Sequence, residues 1–363
     1  MNRNLKIDMP ARYGHIPTLD GLRAVSIAIV VLAHIVSYRF PGGYGVFLFF
    51  VISGFLITRL LYSEMKANGS ISLPDFYKRR IFRLYPVILI YCVIIVAATP
   101  TPLKSINFAE PLSALFYFAN YLVPYYEVIG VDYQMPFLVF WSLSVEEHFY
   151  LVFPIAFLLL QGAPKKIAIF AATICLISIL LRAYFILFMS PSYQGHYMYM
   201  HTEFRADSIA YGVLLASMCE LPLGRQILAL ADRWMAALII IILVALAVAL
   251  PHLLKEIFRD VFRAPAVLIG ISALLFGSTF SFVTTLLNFQ PVAWLGKISY
   301  SLYVWHMPVH FLVQSMLPGV WIASIIASIA VAAASYHFVE LPFIRMGRSL
   351  RLRTSLRDFT VKA

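Results

Sequence analysis

Charge is scarce in this sequence. Only 12% of its 363 residues are Asp, Glu, Lys or Arg, against 61% hydrophobic residues and a mean hydropathy of +0.84. A soluble domain is about one-quarter charged, and a soluble core cannot absorb this much apolar surface, which excludes that class. Cysteine is also sparse: Cys92, Cys175 and Cys219 fall inside or at the ends of apolar runs, with no CxxC pair and no zinc set. They read as packing residues. Acidic side chains are fewer than basic ones, 17 against 28, leaving a net charge of +11. No internal repeat, low-complexity stretch or appended soluble domain is visible, so the chain reads as one membrane domain over 1–363.

Long apolar runs fill the space left by charge. They fall near 17–37, 44–63, 84–99, 141–161, 167–189, 203–221, 234–250, 264–283, 291–313 and 320–340, with a shorter one near 112–124. The expected fold is therefore an all-α polytopic membrane protein, a bundle of about ten transmembrane helices. Placing both termini in the cytoplasm puts 18 of the 28 Lys and Arg in inside segments, 5 outside and 5 within helices, which the positive-inside rule favours. The basic surplus is thus read as topological, with membrane lipids as partners and no nucleic acid. A basic tail from about 341 is assigned to the cytoplasm. Were 112–124 a span, the basic clusters would fall on opposite sides, so it is read as interfacial or re-entrant. The N-terminal apolar run holds Asp20 and Arg23 and lacks a small-residue cleavage site, so it is expected to remain as helix one.

The few ionisable groups inside these spans are expensive and default to function. Arg23 and His34 are eleven residues apart, which at ~100° and ~1.5 Å per residue returns them to within about 20° and roughly 16 Å on one helix face. Judged by distance from helix ends, two sets emerge. His34, Glu146, Glu147, His148, Arg205, Asp207, His306 and His310 lie toward the outer surface. Asp20, Arg23, Arg59, Lys297 and Glu340 lie toward the inner one, near the basic run Lys78 to Arg83.

Several local motifs then converge. They are Asp20-Gly21-Leu22-Arg23 with His34, Phe49-Phe50-Val51-Ile52-Ser53-Gly54-Phe55, Tyr77-Lys78-Arg79-Arg80-Ile81-Phe82-Arg83-Leu84-Tyr85-Pro86, Trp141-Ser142-Leu143-Ser144-Val145-Glu146, the run Gly296 to His306, and Glu340-Leu341-Pro342. In this order and spacing the chain resembles the acyltransferase 3 family of integral membrane O-acyltransferases along nearly its whole length. The resemblance implies transfer of an acyl group, commonly acetyl, from cytoplasmic acyl-CoA to a hydroxyl of a cell-surface glycan or its lipid-linked precursor. Some relatives acylate small molecules such as macrolides. Many members add a C-terminal extracytoplasmic hydrolase-like domain, and none is expected here. A bacterial inner membrane is the expected location.

Acyl transfer to a hydroxyl needs a proton acceptor, and neutral imidazole suits that near neutral pH. His34 is assigned as this base, with Glu146 as the carboxylate that would stabilise its imidazolium. The family motif ends on Glu146, which favours it over Glu147; a structural ion pair of Glu146 with Arg205 or Arg182 is the competing reading. The phosphates of CoA call for arginine's planar contacts, which points to Lys78, Arg79, Arg80 and Arg83, although the same charges would serve topology and lipid headgroups. A pantetheine arm of about 15–20 Å matches the Arg23 to His34 separation. Arg23 would steer that arm, Asp20 would orient Arg23, and Ser53 would line the channel, unless Ser53-Gly54 is only a close helix contact. Trp141, Arg205, Asp207 and His306 are assigned to the acceptor side. His306 and His310 stand one turn apart as a metal pair would, but no third ligand is apparent and no metal is expected. A secondary transporter of glycan lipids is the competing class, disfavoured because no internal repeats are found.

Overall fold

The computed structural model describes residues 16–98, 107–131, 135–188, 197–230, 271, 281–347 and 349. The described residues are helical, with no strand among them. Among the described residues six helices are long and apolar enough to cross a membrane, and a seventh span is present if Tyr197–Glu220 and Pro222–Leu228, bent by 111°, are one. That is the pattern of a multi-pass membrane protein. The apolar runs at 234–250 and, but for a few residues, 264–283, together with residues 251–263 and the basic tail from 350 on, lie outside the described residues.

The chain groups into two compact units, each assembled from separated segments. The first joins residues up to Ser26, Gly43–Ile71 and His148–Lys297. It holds the start of α1 (Pro17–Ile35), most of α2 (Gly42–Asn68), the end of α7 (Phe140–Leu159), α8 (Pro164–Phe188), α9 (Thr202–Glu220), α10 (Pro222–Leu230), α11 (Ser281–Leu287) and α12 (Gln290–Lys297). Glycine sets its closest approaches. A Cβ at Gly54 would lie 2.0 Å from the Ile209 carbonyl oxygen, and one at Gly212 would lie 2.0 Å from that of Val51, so α2 and α9 touch backbone to backbone. Gly54 is thus fixed by helix packing. Likewise Gly21 meets the Leu287 backbone and Gly296 that of Asp20, while the Thr18 hydroxyl donates to Asn288 Oδ1 at 3.0 Å. The glycines beside Asp20 and Lys297 are needed because α1 seats against α11 and α12.

The second unit joins Ile27–Gly42, Ser72–Glu147 and residues from Ile298 onward. It contains α3 (Leu73–Ala98), α4 (Ala109–Leu115), α5 (Ala119–Ile129), α6 (Met135–Leu138), the start of α7, α13 (Ser299–Met316) and α14 (Trp321–Ser335), which runs through a π-helical turn at Tyr336–Glu340. Helix α3 starts where Ser72 Oγ accepts the Asp75 N–H at 3.4 Å, with Pro74 in the first turn where its missing N–H costs nothing. It therefore begins eleven residues before the apolar run at 84–99. The basic run Lys78 to Arg83, which precedes that apolar run, is helical, which places three arginines on or beside its packed face.

Two further apolar runs are interrupted, the first in keeping with its reading as a segment that does not span and the second not. The run at 112–124 is a broken pair, α4 and α5, about 10 Å and 16 Å long, and neither helix alone would cross a bilayer. The run at 291–313 is not one helix: it breaks at the buried Ile298 between α12 and α13. Apolar composition is blind to a break whose residues stay buried.

Candidate active site

Two polar clusters occupy the second unit, and α13 carries part of each. The first is a histidine pair. His34, near the end of α1, and His306, on α13, approach to 2.8 Å between His34 Nδ1 and His306 Nε2. Their rings are parallel within 6° with centroids 5.2 Å apart, which with the short nitrogen contact means they meet edge to edge in one plane. The backbone fixes the protons. His306 Nδ1 faces the carbonyl oxygens of Tyr303 at 2.7 Å and Leu302 at 3.2 Å, which can only accept, so this nitrogen bears the hydrogen and donates. In the neutral ring His306 Nε2 is then a lone pair, and His34 must donate to it from Nδ1. That leaves the lone pair of His34 on Nε2, which makes no hydrogen bond among the described residues. His306 is fully buried while His34 is half-buried, so the accessible ring is the one whose basic nitrogen is uncommitted.

The helices that carry this pair are tied by side chains. Tyr303 Oη donates to the Val139 carbonyl at 3.0 Å and lies 2.6 Å from Ser142 Oγ, joining α13 to the start of α7. Trp305 Nε1 donates to Ser335 Oγ at 3.1 Å, joining α13 to α14. Trp141, beside Ser142, is buried.

The second cluster joins arginines, carboxylates and tyrosines. Arg80 lies 3.7 Å from Glu147 and Arg83 lies 3.7 Å from Glu340. Glu340 sits in the π-helical turn, is 1% exposed, and accepts a 3.0 Å hydrogen bond from Ser301 Oγ. Tyr300 Oη donates to the Leu84 carbonyl at 2.9 Å, locking α13 to α3. Tyr85 and Tyr117 meet edge to face, 5.7 Å apart and at 84°. Of the four basic residues read from the sequence, Lys78 is exposed, while Arg79, Arg80 and Arg83 are half-buried. Arginine packs its flat guanidinium among aromatics here, as Arg80 does 5.8 Å above Phe76.

The structure thus redraws the depth assignment inside this unit. His34 and His306 do come together, but the hydrogen-bond partner of His34 is His306 and not Glu146. Glu147, placed with His34 toward the outer surface, instead faces Arg80 of the basic run. Glu146 lies close enough to Glu147 to act on it electrostatically. Adjacent glutamates on a helix point about 100° apart, so one residue decides which partner is reached. Tyr85 and Tyr300 stand in the sequence reading only as letters of motifs, without a role, and Tyr117 not at all, since a tyrosine carries no formal charge to draw the eye.

The remaining assigned residues lie in the first unit. Asp207 makes a buried ion pair with Arg182 and accepts from Ser208 Oγ at 3.1 Å, and Arg182 also donates to the Phe204 carbonyl. It holds α8 to α9 and is spent on packing; Arg182 thus finds its carboxylate in Asp207. Arg205 donates from Nε to the Tyr199 carbonyl at 2.7 Å and stacks its guanidinium 4.6 Å above the Tyr199 ring. Ser53 accepts a short hydrogen bond from Tyr150 Oη. His148 pairs with the Thr202 hydroxyl at 2.7 Å. Asp20 and Arg23 are half-buried on α1, an unbroken helix that continues to His34.

The comparisons agree on one family. A family profile described as an acyltransferase domain matches residues 16–338. The peptidoglycan O-acetyltransferase OatA of Listeria monocytogenes is 27% identical over 92% of this chain, and the O-acetyltransferase OatA of Staphylococcus aureus is 30% identical over 92%. The alignments take in 56% and 58% of those proteins, so the chain spans a little over half the length of these relatives. No solved structure matches it. With a profile covering most of the sequence and both polar clusters inside the matched residues, the chain belongs to the acyltransferase 3 family.

Proposed function

We propose that this protein is a membrane O-acyltransferase of the bacterial inner membrane, with both termini cytoplasmic, which moves an acetyl group from acyl-CoA to a hydroxyl of a cell-wall glycan. The observation that carries the reading is the tautomer imposed on His34. With Nδ1–H committed to His306, Nε2 is a base by construction. It takes the proton of the acceptor hydroxyl as that oxygen attacks the thioester carbonyl. The carbon–sulfur bond then breaks, and the same nitrogen returns the proton to the departing thiolate, giving an ester and a free thiol. His306 holds the ring in its tautomer and shares the transient positive charge through the 2.8 Å hydrogen bond. The glycan class follows from the peptidoglycan named for the Listeria relative.

For the donor, acyl-CoA supplies an activated acetyl carbonyl and an anionic nucleotide. Arg79, Arg80 and Arg83 fit the phosphates, being half-buried and close to one another on α3, with Arg80 and Arg83 each 3.7 Å from a carboxylate. Neutralising all three with glutamine should raise the KM for acetyl-CoA more than tenfold and more steeply with each charge removed, and the wild-type KM should rise with ionic strength. Steady-state kinetics on the inserted protein decides it. An unchanged KM would move the donor site away from α3.

Topology is tested separately. The native cysteines are buried, so labelling background is low. A cysteine at the exposed position Glu127 should react with an impermeant maleimide from outside, and one at the exposed Asn68 only after the membrane is opened. The reverse pattern would invert the orientation on which donor access depends.

A further inference from the structure

Helix α4 ends in a turn that glycine would normally occupy. The Phe118 N–H donates to the Ser113 carbonyl at 2.9 Å, closing the helix with the bond of a Schellman turn, and Tyr117 takes the left-handed position with φ of 56°. A residue with a Cβ is strained there, and strain of this kind gathers at functional sites. The side chain is what the strain delivers. Tyr117 is only 7% exposed, its ring is held edge-on by Tyr85, and its hydroxyl makes no hydrogen bond among the described residues. Glu147, Tyr300, Tyr85 and Arg80 are the groups close enough to act on that hydroxyl electrostatically. A buried hydroxyl left open on a ring packed against Tyr85 is the mark of a missing partner.

That partner can be placed along the donor. Tyr300 stands six residues from His306 on α13, about 9 Å along the axis. Tyr300 Oη bonds the Leu84 carbonyl beside Arg83, and Ser301 bonds the Glu340 that faces Arg83, so the arginine cluster joins α13 at about that distance from the histidine pair, within the reach of a pantetheine arm. The stretch of a CoA thioester between its phosphates and its acyl carbonyl is this arm, whose polar groups are two amides. We propose that Tyr117 Oη donates a hydrogen bond to an amide carbonyl of the pantetheine arm, making Tyr117 a donor-binding residue that measures the arm's position. This rests on the acyl-CoA reading above.

The test compares two probes on the full chain in detergent: acetyl-CoA, which has the arm, and 3′-phosphoadenosine 5′-diphosphate, which lacks it. Tyr117→Phe removes only the hydroxyl. Its Kd for acetyl-CoA should rise about tenfold, the worth of one hydrogen bond of about 1.4 kcal/mol, while its Kd for the nucleotide stays at the wild-type value. Its ligand-free melting temperature should hold or rise, since an unsatisfied buried hydroxyl has been removed. Tyr117→Gly, which also relaxes the left-handed backbone, should show the same split and serves if the phenylalanine variant misfolds. Equal acetyl-CoA binding by wild type and variant overturns the inference while leaving the donor reading intact. So does an equal loss for both probes, which would mark a distorted pocket. Wild-type protein that binds neither probe removes the donor reading, and the role of Tyr117 with it.

Discussion

Replacing His34 with alanine is expected to lower acyl transfer by about 10²- to 10⁴-fold, the usual worth of a positioned general base, with the loss in kcat rather than in the KM for acetyl-CoA. The residue is half-buried and its hydrogen bond is to a side chain, so the helix itself loses no backbone contact. His306→Phe, which keeps a ring in the fully buried site but cannot accept from His34, should cost a smaller factor. It leaves the base in place and only releases its tautomer. A folded His34→Ala protein that turns over at the wild-type rate would end the assignment of this pair as the reacting centre, and the family membership would stand without it.

The largest effect on stability is expected at Asp207. Its ion pair with Arg182 is buried, with side-chain exposures of 2% and 6%, and removing one partner from such a pair costs about 3–5 kcal/mol because the other charge is left without compensation. Asp207→Ala should therefore unfold at much lower temperature in detergent. Changing both residues to apolar ones, Arg182→Met with Asp207→Leu, should recover most of the loss, since no charge is then buried. If the double variant melts as low as the single one, the pair does more than hold α8 to α9, and an acceptor-side role for Asp207 regains support.

Both outcomes turn on which intramembrane charge meets which. Counting residues from helix ends put Asp207 and Glu147 beside the histidines. Instead Asp207 is neutralised across one helix interface and Glu147 faces α3. A depth estimate gives one coordinate, whereas a salt bridge is decided by the other two, the rotation of each helix and the identity of its neighbour.

The sequence by itself determined the class of the molecule, because scarce charge and apolar runs near twenty residues leave no other solvent than a bilayer. It also determined the family, because the motifs from Asp20 to Glu340 are local strings that survive without three-dimensional context. It singled out His34 and the arginines of α3, since an ionisable group in an apolar segment stands out by composition alone. Only the tertiary structure decided that His306 is the partner of His34. That contact joins residues 272 positions apart, and the tautomer it imposes depends on two carbonyls of α13. Only the tertiary structure, too, buried the Tyr117 hydroxyl on a ring packed against Tyr85, with no partner among the described residues. Charge and periodicity in a sequence register what a side chain is, but an unsatisfied donor exists only once the surrounding backbone has fixed what it cannot reach.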